Sequence, residues 1–207
     1  MSFTIEGDRK VSFWYDVFMK NAILLHGKPG KEEYYDPQFP SCSNYHWFPW
    51  LQKQLLVQGI KADTPEVPLA YDPKWELWKR EVERFDITPE TTVVGHSCGG
   101  GFWVRYLSEN KDVKVGKVIL VAPSINPEKT WGKKFFDFVI DASVADRVKE
   151  IIIFNSTDDH PGVLQSVEII RKAFPTAKYI EFEGRGHFTH LDMKTAEFPE
   201  LLEECFR

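Results

Sequence analysis

The stretch "VVGHSCGGGF", residues 93–102, decides the fold prediction. It places two β-branched apolar residues before a serine, a cysteine and four glycines. The apolar segment predicts a strand that runs directly into a helix beginning near Gly99, with Ser97 at the junction. A serine at such a junction takes a strained backbone conformation, and small neighbours such as Gly95 and Gly99 avoid collision with it. The stretch therefore predicts a G-x-S-x-G turn that holds the Ser97 hydroxyl above a sheet, at the amino end of a helix that favours negative charge.

The glycines of this stretch also fit close packing or a phosphate cradle. However, "GHSCGGG" does not contain G-x-G-x-x-G, and "GKPGKE" after the first predicted parallel strand lacks the spacing and the Ser/Thr of a Walker loop. The strand and helix expected on either side favour a catalytic serine instead. Cys98 is expected to offer its backbone N–H to an oxyanion while its thiol packs as a small buried hydrophobe, and a catalytic thiol is the weaker alternative.

The rest of the chain alternates between short apolar segments and segments with helical spacing. The predicted strands are "AILLH", "TTVVG", "VGKVILVA", "EIIIF" and "KYIEF", and helical spacing recurs in "WFPWLQKQLLVQ", "PKWELWKREVERF", "FWVRYLSEN", "VLQSVEIIRKAF" and "AEFPELLEECF". This alternation predicts an α/β fold, with a mostly parallel twisted sheet and helices on both faces. The chain is expected to form one domain, residues 1–207, with a β-hairpin extension over residues 1–20 and a short, partly helical flap within residues 123–138.

Composition excludes several classes of protein. The chain has 207 residues, 43% of them apolar, which is enough to bury a sizeable core without disulfides. A net charge of -5 argues against a nucleic-acid binder, which would present a basic face. Three widely separated cysteines predict neither a disulfide framework nor a zinc knuckle, and no His/Asp/Glu spacing indicates a metal. With no signal-peptide h-region and no membrane-spanning apolar run, we expect a cytoplasmic protein without cofactor or membrane partner, its oligomeric state left open.

A serine hydroxyl becomes a nucleophile when a histidine takes its proton and a third group orients that histidine. The segments "IIIFNSTDDH" and "YIEFEGRGHF" are consecutive predicted strands that end in two aspartates and in a glycine-flanked histidine. Since adjacent parallel strands end at one edge of the sheet, His187 is the predicted base. Either Asp158 or Asp159 orients it, while the other caps the following helix or solvates the loop. The second oxyanion donor is expected to be the amide of Lys28, because Gly27 lets this loop approach the serine.

Several aromatic residues are candidates for the wall of a substrate pocket. They are His26 at the end of the first parallel strand, Tyr34 and Tyr35 in the following loop, Trp47 near the oxyanion loop and Trp131 in the flap. Most other tryptophans fall at i, i+3 spacing, which one helical face turned toward the sheet explains. The remaining histidines are expected to have structural roles.

The sequence resembles the small serine hydrolases typified by retinoblastoma-binding protein 9 and bacterial YdeN. The resemblance rests on "SNYHWFPWLQKQLLVQGIKADTPEVP", residues 43–68, together with "VVGHSCGG", "STDD" and "GRGHF", and it extends from Asn21 to the C terminus. It implies an α/β-hydrolase fold with a minimal lid and a Ser97, Asp159, His187 triad, since the family pattern puts the acid at the second aspartate of the pair. The N-terminal hairpin is not part of the family's minimal fold.

These observations predict a carboxylesterase-like serine hydrolase that cleaves a small ester, thioester or amide through an acyl-enzyme intermediate. Its expected partner is a small-molecule acyl substrate whose acyl length and leaving group the sequence does not specify. Two alternatives stay open. One is a non-catalytic binding or scaffolding protein on the same fold, and the other is an acyltransferase in which another acceptor takes the place of water.

Overall fold

A computed structural model of the chain describes residues 20–207. The β-hairpin predicted for residues 1–20 lies, except for its final residue, outside this range. Within the range, six strands form one sheet and every neighbouring pair is parallel. No helix among these residues is both long and apolar enough to cross a membrane.

The strands of this sheet are short, and the four central ones are largely buried. They are β1 (Asn21–Leu25), β2 (Lys61–Asp63), β3 (Thr92–His96), β4 (Val115–Val121), β5 (Val148–Ser156) and β6 (Lys178–Phe182). Their order across the sheet is β2-β1-β3-β4-β5-β6. Every residue of β1 is buried, and because successive side chains point to opposite faces, both faces of the sheet must be covered there. This explains why the central strands read as continuous apolar runs, and it confirms the predicted α/β class.

Helices lie between most consecutive strands, although no α-helix lies between β4 and β5, and the last two helices follow β6. They are α1 (Lys31–Tyr35), α2 (Phe48–Val57), α3 (Trp75–Val82), α4 (Cys98–Glu109), α5 (Pro161–Ala173), α6 (His190–Met193) and α7 (Pro199–Phe206), with 3₁₀ turns at Cys42–Asn44 and Ala142–Asp146. Residues 122–141 contain no helix, so the predicted partly helical flap is wrong. There the side-chain amide of Asn126 accepts from the backbone and hydroxyl of Thr130 and donates to the Trp131 carbonyl. These bonds close a turn in place of a helix.

The strand order determines where a ligand can bind. The chain passes from β1 to the edge strand β2 and then returns to the other side of β1 as β3. In an open parallel sheet such a reversal leaves a crevice at the carboxyl ends of the two diverging strands. Gly27 and Lys28 follow β1, and Ser97 follows β3, so both segments adjoin this crevice. The segments after β5 and β6 reach the same edge of the sheet.

Candidate active site

Ser97 lies at the sharp turn between β3 and α4, with φ 54° and ψ −118°. A positive φ in a residue other than glycine costs about 1–3 kcal/mol and persists only where the surroundings hold it. The surroundings here are tight. A Cβ added at Gly95 would lie 2.5 Å from the Gly99 carbonyl oxygen, and one added at Gly99 would lie 2.5 Å from the His26 carbonyl oxygen. Only glycine fits at these two positions, which accounts for the G-x-S-x-G spacing.

The two predicted oxyanion donors lie beside this turn. A Cβ added at Gly27 would lie 3.0 Å from Cβ of Ser97, so the loop after β1 approaches the serine closely. Cys98 is the first residue of α4, where an amide has no acceptor within its own helix. The Lys28 amide likewise has no backbone acceptor in the described part of the chain. Both N–H groups are therefore available next to Ser97, and their role toward an oxyanion stays a prediction.

His187 and Asp159 form a tight pair on the other side of Ser97. Nδ1 of His187 lies 2.9 Å from each carboxylate oxygen of Asp159. The Asp159 side chain is fully buried, whereas that of His187 is 19% exposed. Because a carboxylate only accepts, Nδ1 carries the proton and Nε2 keeps its lone pair. His187 and Ser97 line the same two cavities, an arrangement that suits a general base beside a nucleophile.

Asp158 has a different environment, although it is adjacent in the chain. Its exposed carboxylate accepts from the Ser156 hydroxyl at 2.5 Å and from the amides of Gly184 and Gly186 at 3.1 and 3.2 Å. The Ser156 hydroxyl makes the largest contribution to lowering the pKa of Asp158. The structure therefore places Asp159, rather than Asp158, against the predicted base. This is the aspartate that the family resemblance favours.

Four of the five predicted pocket residues line the cavities, Tyr35 among them. His26 is only 1% exposed; its Nδ1 donates to the Gly27 carbonyl at 2.7 Å and its Nε2 accepts from the Val67 amide at 3.0 Å. Burial lowers the pKa of His26, so the ring is neutral, and its bond to Gly27 supports the loop after β1. Tyr34 and Trp131 line the larger and the smaller cavity respectively.

The prediction that Trp47 lines the pocket is wrong. Its side chain is fully buried and contacts neither cavity. The indole stacks on Phe48 with ring centroids 4.1 Å apart, and Nε1 donates to the Phe188 carbonyl at 3.1 Å. The position just before α2 turns this large apolar ring toward the core, where its N–H still finds a partner.

Two cavities of unequal size meet at Lys28, Ser97 and His187. The larger has a volume of about 740 Å³, and its outer wall consists of tyrosine, phenylalanine and proline side chains: Pro29, Tyr34, Tyr35, Pro37, Phe39, Pro40 and Tyr45. The smaller has a volume of about 290 Å³ and a more polar lining that includes Ser124, Asn126, Glu128, Thr130 and His160. Two compartments on one nucleophile suit a substrate with two unequal halves.

Sequence reasoning missed a chain of histidines beside Ser97. The ring centroids of His46 and His190 are 5.8 Å apart, those of His46 and His96 are 5.9 Å apart, and those of His96 and His187 are 4.9 Å apart. Burial, followed by the neighbouring histidines, lowers the pKa of His46 to about 4 and that of His96 well below its ordinary value. Only the position of His96 next to Ser97 could have suggested this arrangement, since the other contacts join distant parts of the chain.

The Cys98 thiol packs as expected of a small hydrophobe. It is fully buried, and this burial raises its pKa, so the thiol stays protonated and unreactive. Among residues 20–207, no cluster of three or more His, Cys, Asp or Glu side chains could hold a metal ion.

The parallel sheet, the strained serine after β3, the carboxylate after β5 and the histidine after β6 together define the α/β-hydrolase fold. The serine hydrolase family matches residues 37–202, and the chain belongs to this family. YdeN of Bacillus subtilis (strain 168) is 27% identical over 178 residues, which cover 82% of this chain and 86% of YdeN. These findings confirm the family resemblance noted from the sequence.

Solved structures agree on the fold. The crystal structure of the ydeN gene product from B. subtilis aligns with a TM-score of 0.74 at 24% identity, covering 90% of this chain and 98% of that one. Est1E from Butyrivibrio proteoclasticus aligns with a TM-score of 0.60 at 15% identity, covering 90% and 88%. The esterase Pf2001 of Pyrococcus furiosus aligns with a TM-score of 0.54 at 16% identity, covering 90% and 78%.

Proposed function

We propose that this protein is a serine hydrolase that cleaves a small ester, thioester or amide with Ser97 as nucleophile, His187 as base and Asp159 as orienting acid. The observation that carries the proposal is the bond from His187 Nδ1 to a fully buried carboxylate, with His187 lining the same cavities as the strained serine. An imidazole so held keeps the tautomer that accepts a proton from a hydroxyl.

The reaction then proceeds in two halves. Ser97 Oγ attacks the substrate carbonyl while its proton passes to Nε2 of His187, and the oxyanion is stabilised by the amides of Lys28 and Cys98. The imidazolium gives this proton to the leaving group, and Asp159 stabilises its positive charge meanwhile. Water, deprotonated by His187, attacks the acyl-enzyme; the bond between the acyl carbon and Ser97 Oγ breaks, the imidazolium returns the proton to Oγ, and the acid is released. Each half of the reaction consumes and returns one proton, so no cofactor is needed.

The cavities and the relatives support the proposed substrate class. The larger cavity offers room for a bulky apolar group, and the smaller one for a short or polar group. Two proteins that share the fold, Pf2001 and esterase B from Lactobacillus rhamnosis, are named as esterases. These names favour carboxylic esters as the first substrates to test.

The first experiment is labelling with a fluorophosphonate probe, read by intact mass and peptide mapping, alongside turnover of short-chain nitrophenyl esters. Ser97→Ala should abolish both signals. Ser124→Ala is the matched control, because Ser124 lines the smaller cavity without lying at the turn. It should keep a single adduct on Ser97.

The outcomes separate the alternative functions. A folded wild-type protein that is neither labelled nor active would contradict the proposal and favour a binding or scaffolding role. Rapid labelling and acylation, with release only after a second alcohol or amine is added, would indicate an acyltransferase.

A further inference from the structure

The loop that carries His187 is held by side chains from distant parts of the chain. Phe188, the next residue, has a positive φ of 54° although it is not a glycine. Two successive carbonyl groups of this loop accept from buried rings. His96 Nε2 donates to the His187 carbonyl at 2.7 Å, and Trp47 Nε1 donates to the Phe188 carbonyl at 3.1 Å. Both donors lie on the core side of the loop, opposite the bulk solvent.

Backbone amides of the loop make further bonds, one of them half-buried, from Arg185 to the Ser156 hydroxyl at 3.1 Å, and the others exposed. The His187 amide donates to Asp192 at 3.0 Å, and the amides of Gly184 and Gly186 donate to Asp158. Exposed bonds compete with water and are weaker constraints than buried ones. His96 is 3% exposed and Trp47 is fully buried, so their two bonds have no water to replace them.

We propose that His96 and Trp47 are positioning residues that hold the His187 imidazole between Asp159 and Ser97. His96 directly precedes Ser97 in the chain and donates a hydrogen bond to the backbone carbonyl of His187. This bond links the segment that carries the nucleophile to the segment that carries the base. The distance between nucleophile and base is then set by a rigid, buried link between the loop and the serine turn. For its effect on turnover the inference rests on the proposed function.

The charge state of His96 fits this role. Because a carbonyl only accepts, Nε2 of His96 carries the proton and the ring needs no second proton to make the bond. Burial lowers the pKa of His96, so the ring stays neutral. A neutral ring 4.9 Å from His187 does not repel the imidazolium that forms during acylation.

Trp47 acts one residue further along the loop. The Phe188 ring stacks on Phe198 in the core, with centroids 5.5 Å apart, while the Phe188 carbonyl accepts from the indole. These two contacts determine the position of Phe188 from both its side chain and its backbone. They hold it in the left-handed conformation that aims the preceding His187 at the cavities.

The test uses four variants of the whole chain. His96→Leu removes the donor, and His96→Gln replaces it with an amide that can reach the same carbonyl. Trp47→Phe removes only the N–H and part of the ring. Trp103→Phe is the matched control, because Trp103 is also fully buried but its Nε1 has no partner within residues 20–207. Circular dichroism and melting temperature identify any variant that does not fold.

Two readouts are needed. The first is the kcat and KM of an ester that the wild type turns over. The second is the downfield proton resonance of His187 Nδ1–H, assigned with Asp159→Asn, which reports the His187–Asp159 bond without any turnover.

We expect His96→Leu to lower kcat roughly 100-fold and Trp47→Phe about 10-fold, with KM changed less than about 3-fold, since misplacement of a base by about 1 Å has such effects. Both variants should broaden or lose the resonance, and His96→Gln should restore it together with most of kcat.

The inference is overturned if folded His96→Leu and Trp47→Phe keep both the resonance and kcat, or if Trp103→Phe impairs them equally. If His96→Leu does not fold, the comparison of Trp47→Phe with Trp103→Phe decides. A wild type without turnover contradicts the proposed function alone, because the resonance still shows whether the two rings hold His187.

Discussion

The two sides of the candidate site differ sharply. Behind the cavities lies a buried layer, here called the inner wall, of His96, Trp47 and Asp159, which are at most 7% exposed and are joined to the histidine loop by hydrogen bonds. The outer wall of the larger cavity includes Tyr35 and Phe39, which are 60% and 40% exposed. The proposed reacting groups are thus positioned by the core, whereas the proposed substrate surface belongs to the end of α1 and the segment that follows it. We infer that substitutions on the inner wall act on rate and stability, and those on the outer wall on substrate affinity.

The largest expected effect separates the two neighbouring aspartates. Asp159→Asn should lower kcat by about 10⁴-fold, because an amide at this position favours the wrong tautomer of His187. Asp158→Asn should lower it by no more than about 10-fold, since Asp158 bonds the exposed side of the loop. Steady-state kinetics on one ester measures both. Equal losses, or a larger loss for Asp158→Asn, would contradict the assignment.

The next effect tests how tightly the turn at Ser97, which adjoins the inner wall, is packed. Gly99→Ala should lower the free energy of unfolding by at least about 3 kcal/mol, because its Cβ would overlap the carbonyl oxygens of Leu25 and His26. Gly162→Ala is the control, as its Cβ would meet nothing within 4 Å, and it should change stability by less than about 1 kcal/mol. Urea denaturation measures both. Similar stabilities would mean that the turn has room to adjust.

A smaller effect concerns pH. Because the pKa of His46 is about 4 in the folded protein, below its ordinary 6.5, the unfolded chain takes up this proton first as the pH falls. The contribution of neutral His46 to the free energy of unfolding is therefore complete above pH 6.5. It is lost progressively as the pH falls to about 4, by up to about 3 kcal/mol. His46→Gln should flatten the stability profile in this window, as measured by urea denaturation at a series of pH values. Parallel profiles for wild type and His46→Gln would refute this.

The smallest effect belongs to the outer wall. Tyr35→Ser or Phe39→Ser should raise KM for an ester with a bulky apolar group about 2- to 5-fold, with stability changed by less than about 0.5 kcal/mol. Val57→Ser is the control, since Val57 is 63% exposed but lines neither cavity. If Tyr35→Ser instead lowers kcat more than KM rises, the outer wall takes part in positioning, and the contrast between the two walls fails.

Much of the fold was predictable because its signals are local. The apolar strands, the helical spacing and the glycines around Ser97 each describe contacts within a few residues or a single strand-to-helix junction. Their alternation sufficed for the parallel sheet and for the edge where His187 and the two aspartates meet. The flap was mispredicted because a single turn around Asn126 took the place of a helix.

The errors and omissions at the site share another cause. Trp47 was expected in the pocket, near the oxyanion loop, but the partner of its indole N–H is Phe188, 141 positions away. The two aspartates are equivalent in sequence, and only the surrounding Ser156, Gly184 and Gly186 give Asp158 its separate role. The sequence around a residue does not show which residues from distant parts of the chain will pack against it.

By itself the sequence determined the α/β architecture, the strained turn at Ser97 and the strand ends that supply a histidine and a pair of aspartates. Only the tertiary structure decided which aspartate contacts His187, which aromatic rings face the cavities, and that His96 bonds the His187 backbone 91 positions away. The physical reason is that backbone preference and apolar periodicity act over a few residues, whereas the direction of a side chain is settled by the packing of segments far apart in the chain.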